Sequence, residues 1–143
     1  MLPVEYQLQN KELVKQWVEA LRSGKYEQVK GILRKELENG YGHCCLGVLC
    51  EVIKPLITNS EDLAYLEDNL EKGCYPPLVA LKYLQSKYTN QQLISVLMPD
   101  NTVCAVTILN DDLDKSFNEI ADLLEQTHLN ESQNISTNNQ TTS

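Results

Sequence analysis

The 143-residue chain lacks any apolar run approaching the roughly 20 residues of a membrane-spanning helix, so no helical span is expected. Met1 to Asn10 has neither a basic start nor an apolar stretch, which argues against a secretory signal. Basic charge is scarce: 12 Lys and Arg face 20 Asp and Glu, for a net charge of -8. Phosphate affinity comes mainly from basic side chains, so a general binder of nucleic acid or anionic membrane is disfavoured. The glycine-rich phosphate cradles, the Walker loop and the Rossmann fingerprint, are missing too. So is the Asp-x-Asp-x-Asp-Gly pattern of a calcium-binding hand, and no internal repeat is present.

Cysteine is odd in number. Cys44, Cys45, Cys50, Cys74 and Cys104 cannot all pair within one chain. Cys45 and Cys50 sit in an apolar run, where a thiol packs as a small hydrophobe, so core packing is preferred over a zinc site and no metal is expected. This usage fits a reducing compartment and a cytoplasmic protein. A cysteine nucleophile paired with His43 or His128 is disfavoured, because His43 is merely a sequence neighbour and His128 falls in a polar tail.

What is present is enough for one domain with its own core. Hydrophobic residues are 42% and charged residues 22%, ordinary for a globular chain. The apolar spacing of Leu13, Val14, Trp17, Val18 and Leu21 predicts a helix over about 11–22, capped by Asn10 and ended by Gly24. A short strand or extended turn is expected over Tyr26 to Leu33, and a turn over Glu38 to Gly42. Cys45 to Ile53 reads as a buried helix stopping before Pro55. Ser60, with Glu61 and Asp62 behind it, predicts the start of another helix that Gly73 closes. Pro76 and Pro77 open a further helix with Leu78, Leu81 and Leu84 on its inner face. The apolar runs Leu93 to Met98 and Thr102 to Leu109, around Pro99-Asp100-Asn101, read as a hairpin or as two short helices. Ser116 and Glu119 form a capping box ahead of a last helix. The expected fold is α+β: a mostly helical single domain, residues 1–125, with a small antiparallel β element. Residues 126–143 are expected to be a disordered polar tail, since fourteen of those eighteen are Asn, Gln, Ser or Thr. Its sequons at Asn130, Asn134 and Asn139 are what such a composition produces by chance.

Charge is unevenly placed. Residues 11–35 carry a net +4, while residues 36–143 carry -11. Arg22, Lys25, Lys30 and Arg34 are therefore the candidate phosphate contacts, with Tyr26 able to stack on a base. The competing reading is a solvated helix end and loop. Asp111, Asp112 and Asp114 could bind a cation, but a helix-capping loop is preferred. A helix-turn-helix reading of Thr102 to Glu125 is rejected, because acids crowd residues 110–125 and phosphate would repel them.

Ala20-Leu21-Arg22-Ser23-Gly24-Lys25-Tyr26, Gly31-Ile32-Leu33-Arg34, Gly42-His43-Cys44-Cys45-Leu46-Gly47-Val48-Leu49-Cys50-Glu51, Leu109-Asn110-Asp111, Ser116-Phe117 and Glu119-Ile120-Ala121-Asp122-Leu123 together resemble a family of small uncharacterised bacteriophage proteins. The resemblance covers most of residues 11–125, and the Cys-Cys-Leu-Gly-Val-Leu-Cys block is its most specific part. It implies a phage accessory protein in the bacterial host cytoplasm, with no activity attached. Small phage proteins often antagonise host immunity, some as oligomeric sponges for phosphorylated nucleotide signals. The leading expectation is such a sponge, non-enzymatic and without cofactor, binding a cyclic nucleotide or ADP-ribose derivative through Arg22, Lys25, Tyr26, Lys30 and Arg34. The alternative is an inhibitor whose acidic surface, Glu61 to Glu71 and Asp111 to Glu125, covers a basic face of a host defence protein. A hydrolase of the same signals is the third reading.

Overall fold

The computed structural model describes residues 6–86 and 94–130. At its centre lies α2 (Cys45–Ile53), whose Cys45, Leu46, Val48, Leu49, Cys50 and Ile53 are all buried. A helix apolar apart from Glu51 must be largely enclosed, and the rest of the chain encloses it. Against it packs α1 (Lys11–Arg22), which buries the whole expected stripe Leu13, Val14, Trp17, Val18 and Leu21. The indole Nε1 of Trp17 donates to the carbonyl of Cys45 at 2.9 Å, so the one polar atom of the largest core side chain is satisfied. Asn10 caps α1 as expected, accepting from the Leu13 amide at 3.2 Å, and its own amide donates to the Tyr83 carbonyl at 2.8 Å.

A three-stranded sheet leads into α2. Strands β1 (Glu27–Gln28), β2 (Arg34–Leu37) and β3 (Gly40–His43) lie in the order β1-β3-β2. The β2–β3 hairpin is antiparallel, whereas β1 runs parallel to β3, so the β element is not purely antiparallel. The expected turn is confined to Glu38 and Asn39, and Gly40 to Gly42 are already strand. Gly47 in α2 lets this sheet come close: a Cβ there would lie 1.8 Å from the Leu33 carbonyl oxygen.

After α2, a 3-10 turn carries Pro55, and then α3 (Ser60–Lys72) and α4 (Leu78–Leu84) form an outer pair. The cap of α3 is Asn59, one residue before the expected Ser60, because the Asn59 side chain accepts from the amides of both Glu61 and Asp62. Gly73 closes α3 as expected. On α4, Leu81 and Leu84 are buried, but Leu78 is exposed.

The hairpin reading and the helix reading of the next region are each half right. Strands β4 (Ser95–Leu97) and β5 (Val103–Ala105) pair antiparallel, and α5 (Val106–Asp111) follows directly. Helix α6 (Phe117–Leu124) has the full capping box of Ser116 and Glu119 and packs on α1.

The expected domain end at residue 125 is too early. Glu125–Asn130 continue as a π-helical turn with Thr127 and His128 buried. Thr127 Oγ1 accepts from the Leu97 amide at 2.9 Å, and His128 Nε2 donates to the Ser95 carbonyl at 2.8 Å. These polar letters look like tail by composition, yet β4 supplies partners for both. The remainder of the expected tail, residues 131–143, lies outside the described residues, as do Asn134, Asn139 and Leu93. No helix among the described residues is long and apolar enough to cross a membrane.

Candidate functional site

Of the five residues expected to gather around a phosphate, three of the four cations meet carboxylates of the same chain. Arg22, at the end of α1, reaches α6 and the turn after it: Nη2 lies 2.6 Å from Asp122 Oδ1 and 3.1 Å from Glu125 Oε1. The hydrogen bonds it donates to Glu125 and then Asp122 raise its pKa above the ordinary value. Lys30 pairs with Asp114. Lys25 lies 5.6 Å over the Tyr26 ring, and Tyr26 meets His43 edge-on at 5.1 Å between ring centroids. Tyr26 is thus partly packed on the core, with only a share of its ring left for a ligand.

Arg34 is the most enclosed of the set, with 9% of its side chain exposed. The hairpin register places it opposite His43. From α2, Glu51 receives both: His43 Nε2 donates to Oε2 at 2.7 Å, and Arg34 Nη1 lies 3.7 Å from the same oxygen. From α3, Glu67 and Glu71 approach Arg34 Nη2 at 3.5 and 3.6 Å. Lys54 bridges Glu51 and Glu67 from the far side. The Tyr41 ring covers the guanidinium at 4.7 Å. The hydrogen bond from His43 holds the Glu51 carboxyl below its ordinary value against the opposing effect of burial, aided by the charges of Lys54 and Arg34. This network ties β2, β3, α2 and α3 together. Sequence spacing could not show it, because Arg34, His43, Glu51 and Glu67 meet only through the hairpin register and the α2–α3 packing.

The network does not supply an activated nucleophile. Only 6% of the His43 side chain is exposed, and burial pushes the neighbouring Cys44 thiol up to about 11. Burial raises Cys45 and Cys50 as well, so these thiols stay protonated and pack as hydrophobes. Among the described residues, no group of three His, Cys, Asp or Glu is placed to hold a metal ion. The Asp111 to Asp114 loop is engaged locally: Asp111 Oδ1 accepts from the Gly31 amide at 3.0 Å.

The described residues include two open concave surfaces. A cleft of about 370 Å³ is lined by Lys25, Glu27, Glu38 and Tyr41. A larger groove of about 620 Å³ lies along α3 and the α3–α4 connection, between Tyr65, Asn69 and Lys72 on one side and residues 73–78 on the other. Tyr75 and Leu78 stand exposed there at 62% and 47%. The sequence signal for it was Tyr75-Pro76-Pro77-Leu78, which reads equally well as the opening of a core helix.

An enclosed central helix, an ion network at its edge and two small sheets define a compact α+β domain of predominantly helical content. The chain belongs to the family described as Domain of unknown function (DUF8296), matched over residues 9–128. That span reaches the buried His128. No curated protein and no solved structure matches the chain.

Proposed function

We propose that this is a phage accessory protein that antagonises host immunity by binding, without catalysis, a basic face of a host defence protein through its acidic surface. The observation that carries this reading is the internal use of the basic segment. Arg22, Lys30 and Arg34 each face carboxylates of the same chain, so a phosphate ligand would have to displace those partners. Of the two acidic stretches expected to serve as the surface, Asp111 to Glu125 is largely committed to capping and to Arg22 and Lys30. Helix α3 is the freer one: Glu61 is exposed, and Asp68 and Glu71 keep 63% and 67% of their side chains in solvent. Exposed like charges on one helix raise the encounter rate with a basic partner and make the complex salt-sensitive. The test is affinity capture from infected-host lysate with wild type and with Glu61→Lys/Asp68→Lys. Loss of a captured protein both at high salt and in the variant is expected. Equal capture by the variant refutes the reading.

A second reading, nucleotide sequestration, is supported by the cleft of about 370 Å³, where Lys25 and the half-exposed Tyr41 could meet a phosphate and a base. Its site would be this cleft rather than the five-residue set, with Glu27 and Glu38 opposing the anion. Calorimetric titration with cyclic dinucleotides and ADP-ribose checks it; heat that disappears in Lys25→Glu would favour this reading over the first.

A further inference from the structure

The groove of about 620 Å³ beside α3 combines three properties. It is concave and its volume falls in the range of binding pockets. It exposes tyrosine, the residue type enriched at the cores of interfaces, twice: Tyr65 at 44% and Tyr75 at 62%. It is also bordered by acids. Glu61 and Asp62 precede Tyr65 by one helical turn and Asp68 follows it by one, so all three lie along the Tyr65 side of α3. Lys72 lies 3.1 Å from Asp68, and Lys82 lies 3.9 Å from Asp62. Both are solvent-exposed pairs, which are weak and readily exchanged.

We infer that this groove docks a basic protein segment that seats one apolar side chain against Tyr65, Tyr75 and Leu78 while its Lys or Arg residues meet Glu61, Asp62 and Asp68. The inference rests on the protein-interaction reading and names its site. Charge complementarity selects the occupant. The only charged residue lining the groove, Lys72, is paired with Asp68, while Glu61, Asp62 and Asp68 lie along the Tyr65 side of α3 and the chain carries -8 overall, so an acidic or phosphorylated segment would be repelled. Apolar contact in the groove would supply the affinity, and the acids would set orientation and partner choice.

The test uses the full 15N-labelled chain and two probes: a short lysine-rich peptide bearing one central leucine, and the same peptide with serine in its place. Backbone amide shifts should concentrate at Tyr65, Asn69, Gly73, Tyr75 and Leu78. The leucine peptide should bind about tenfold or more tighter, the scale of one buried leucine. Equal binding of the two peptides, shifts scattered over the acidic surface, or no binding each overturns the proposal. A wild-type dimer that Tyr65→Ser/Tyr75→Ser dissolves would assign the groove to a second copy instead, and would likewise overturn it. Both tyrosines are substantially exposed, and circular dichroism verifies that the double variant folds. The groove and the broader reading fail differently. If the tyrosine variant captures the host protein as wild type does while the α3 charge variant does not, only the groove is wrong. If neither variant alters capture, the interaction reading falls as well.

Discussion

At the scale of single residues, Asn110 and Gly47 carry more of the architecture than their letters suggest. Asn110 is 1% exposed. Its Oδ1 accepts from Gln28 Nε2 at 2.7 Å and from the Cys45 amide at 3.3 Å, and its Nδ2 donates to the Val29 carbonyl at 2.9 Å. One amide thereby joins the β1 strand, the start of α2 and the end of α5. Asn110→Ala would take away the partner of the Cys45 amide and the Val29 carbonyl, while Gln28 Nε2 keeps the Lys115 carbonyl, and a loss of about 2–4 kcal/mol is expected in urea unfolding. Glycines separate by the same logic. Gly24 has φ +75° and open space around it, so Gly24→Ala should cost about 1 kcal/mol of backbone strain. At Gly47 the added methyl would meet the Leu33 backbone, which cannot step aside without shifting the sheet. Gly47→Ala should cost more than about 3 kcal/mol or abolish folding, measured against Gly24→Ala in one denaturation series.

At the scale of elements, the turn after α6 makes the fold acid-sensitive. Ser95 O can only accept, so His128 Nε2 carries the proton and the imidazole is buried neutral. Burial lowers its pKa from 6.5 to about 4. In the unfolded chain it takes up a proton near 6.5, so stability is complete above that pH and falls as pH drops toward 4. The decline should total about 3 kcal/mol, and His128→Gln should flatten it, read as urea midpoints between pH 7 and pH 4. Glu51 acts in the same direction at lower pH: its depressed pKa adds stability that is present above its unfolded value of 4.5 and is lost as acid protonates it. The two windows meet near pH 4.5, so the slope between pH 6.5 and 5 reports chiefly on His128. The capping residues of α1 and α6 were visible in sequence because a cap is a local pattern. The partners of Thr127 and His128 were not, since they lie about thirty residues away in β4.

At the scale of the whole molecule, the five thiols divide by enclosure. Cys74 is exposed, Cys104 is intermediate, and Cys44, Cys45 and Cys50 are buried. A maleimide chase in native buffer should label Cys74 first and Cys104 more slowly, with the three buried thiols labelled only as the domain opens. Early labelling of Cys45 or Cys50, read by peptide mass, would contradict the enclosed position of α2. Charge also divides at this scale. Three cations of the +4 segment that looked like a phosphate site along the chain become counter-charges once the domain closes: Arg22 for α6 and Lys30 for the 111–114 loop at the surface, and the enclosed Arg34 for α3.

Periodicity, caps and composition sufficed for α1, α2, the end of α3 and α6. The stripe of α1, the enclosed α2, the stop before Pro55, the Gly73 closure and the capping box of α6 are encoded within a few residues of where they act, because helix packing and capping are short-range patterns. Tertiary structure alone decided which charges meet. Arg34 faces His43 by hairpin register, Glu51 reaches both from α2, and Arg22 crosses to Asp122 a hundred positions away. It also decided that Leu78 turns outward beside Tyr75, making a groove where the sequence suggested core. Such pairings depend on how elements dock, and an ion's neighbours in space are set by that docking rather than by its neighbours along the chain.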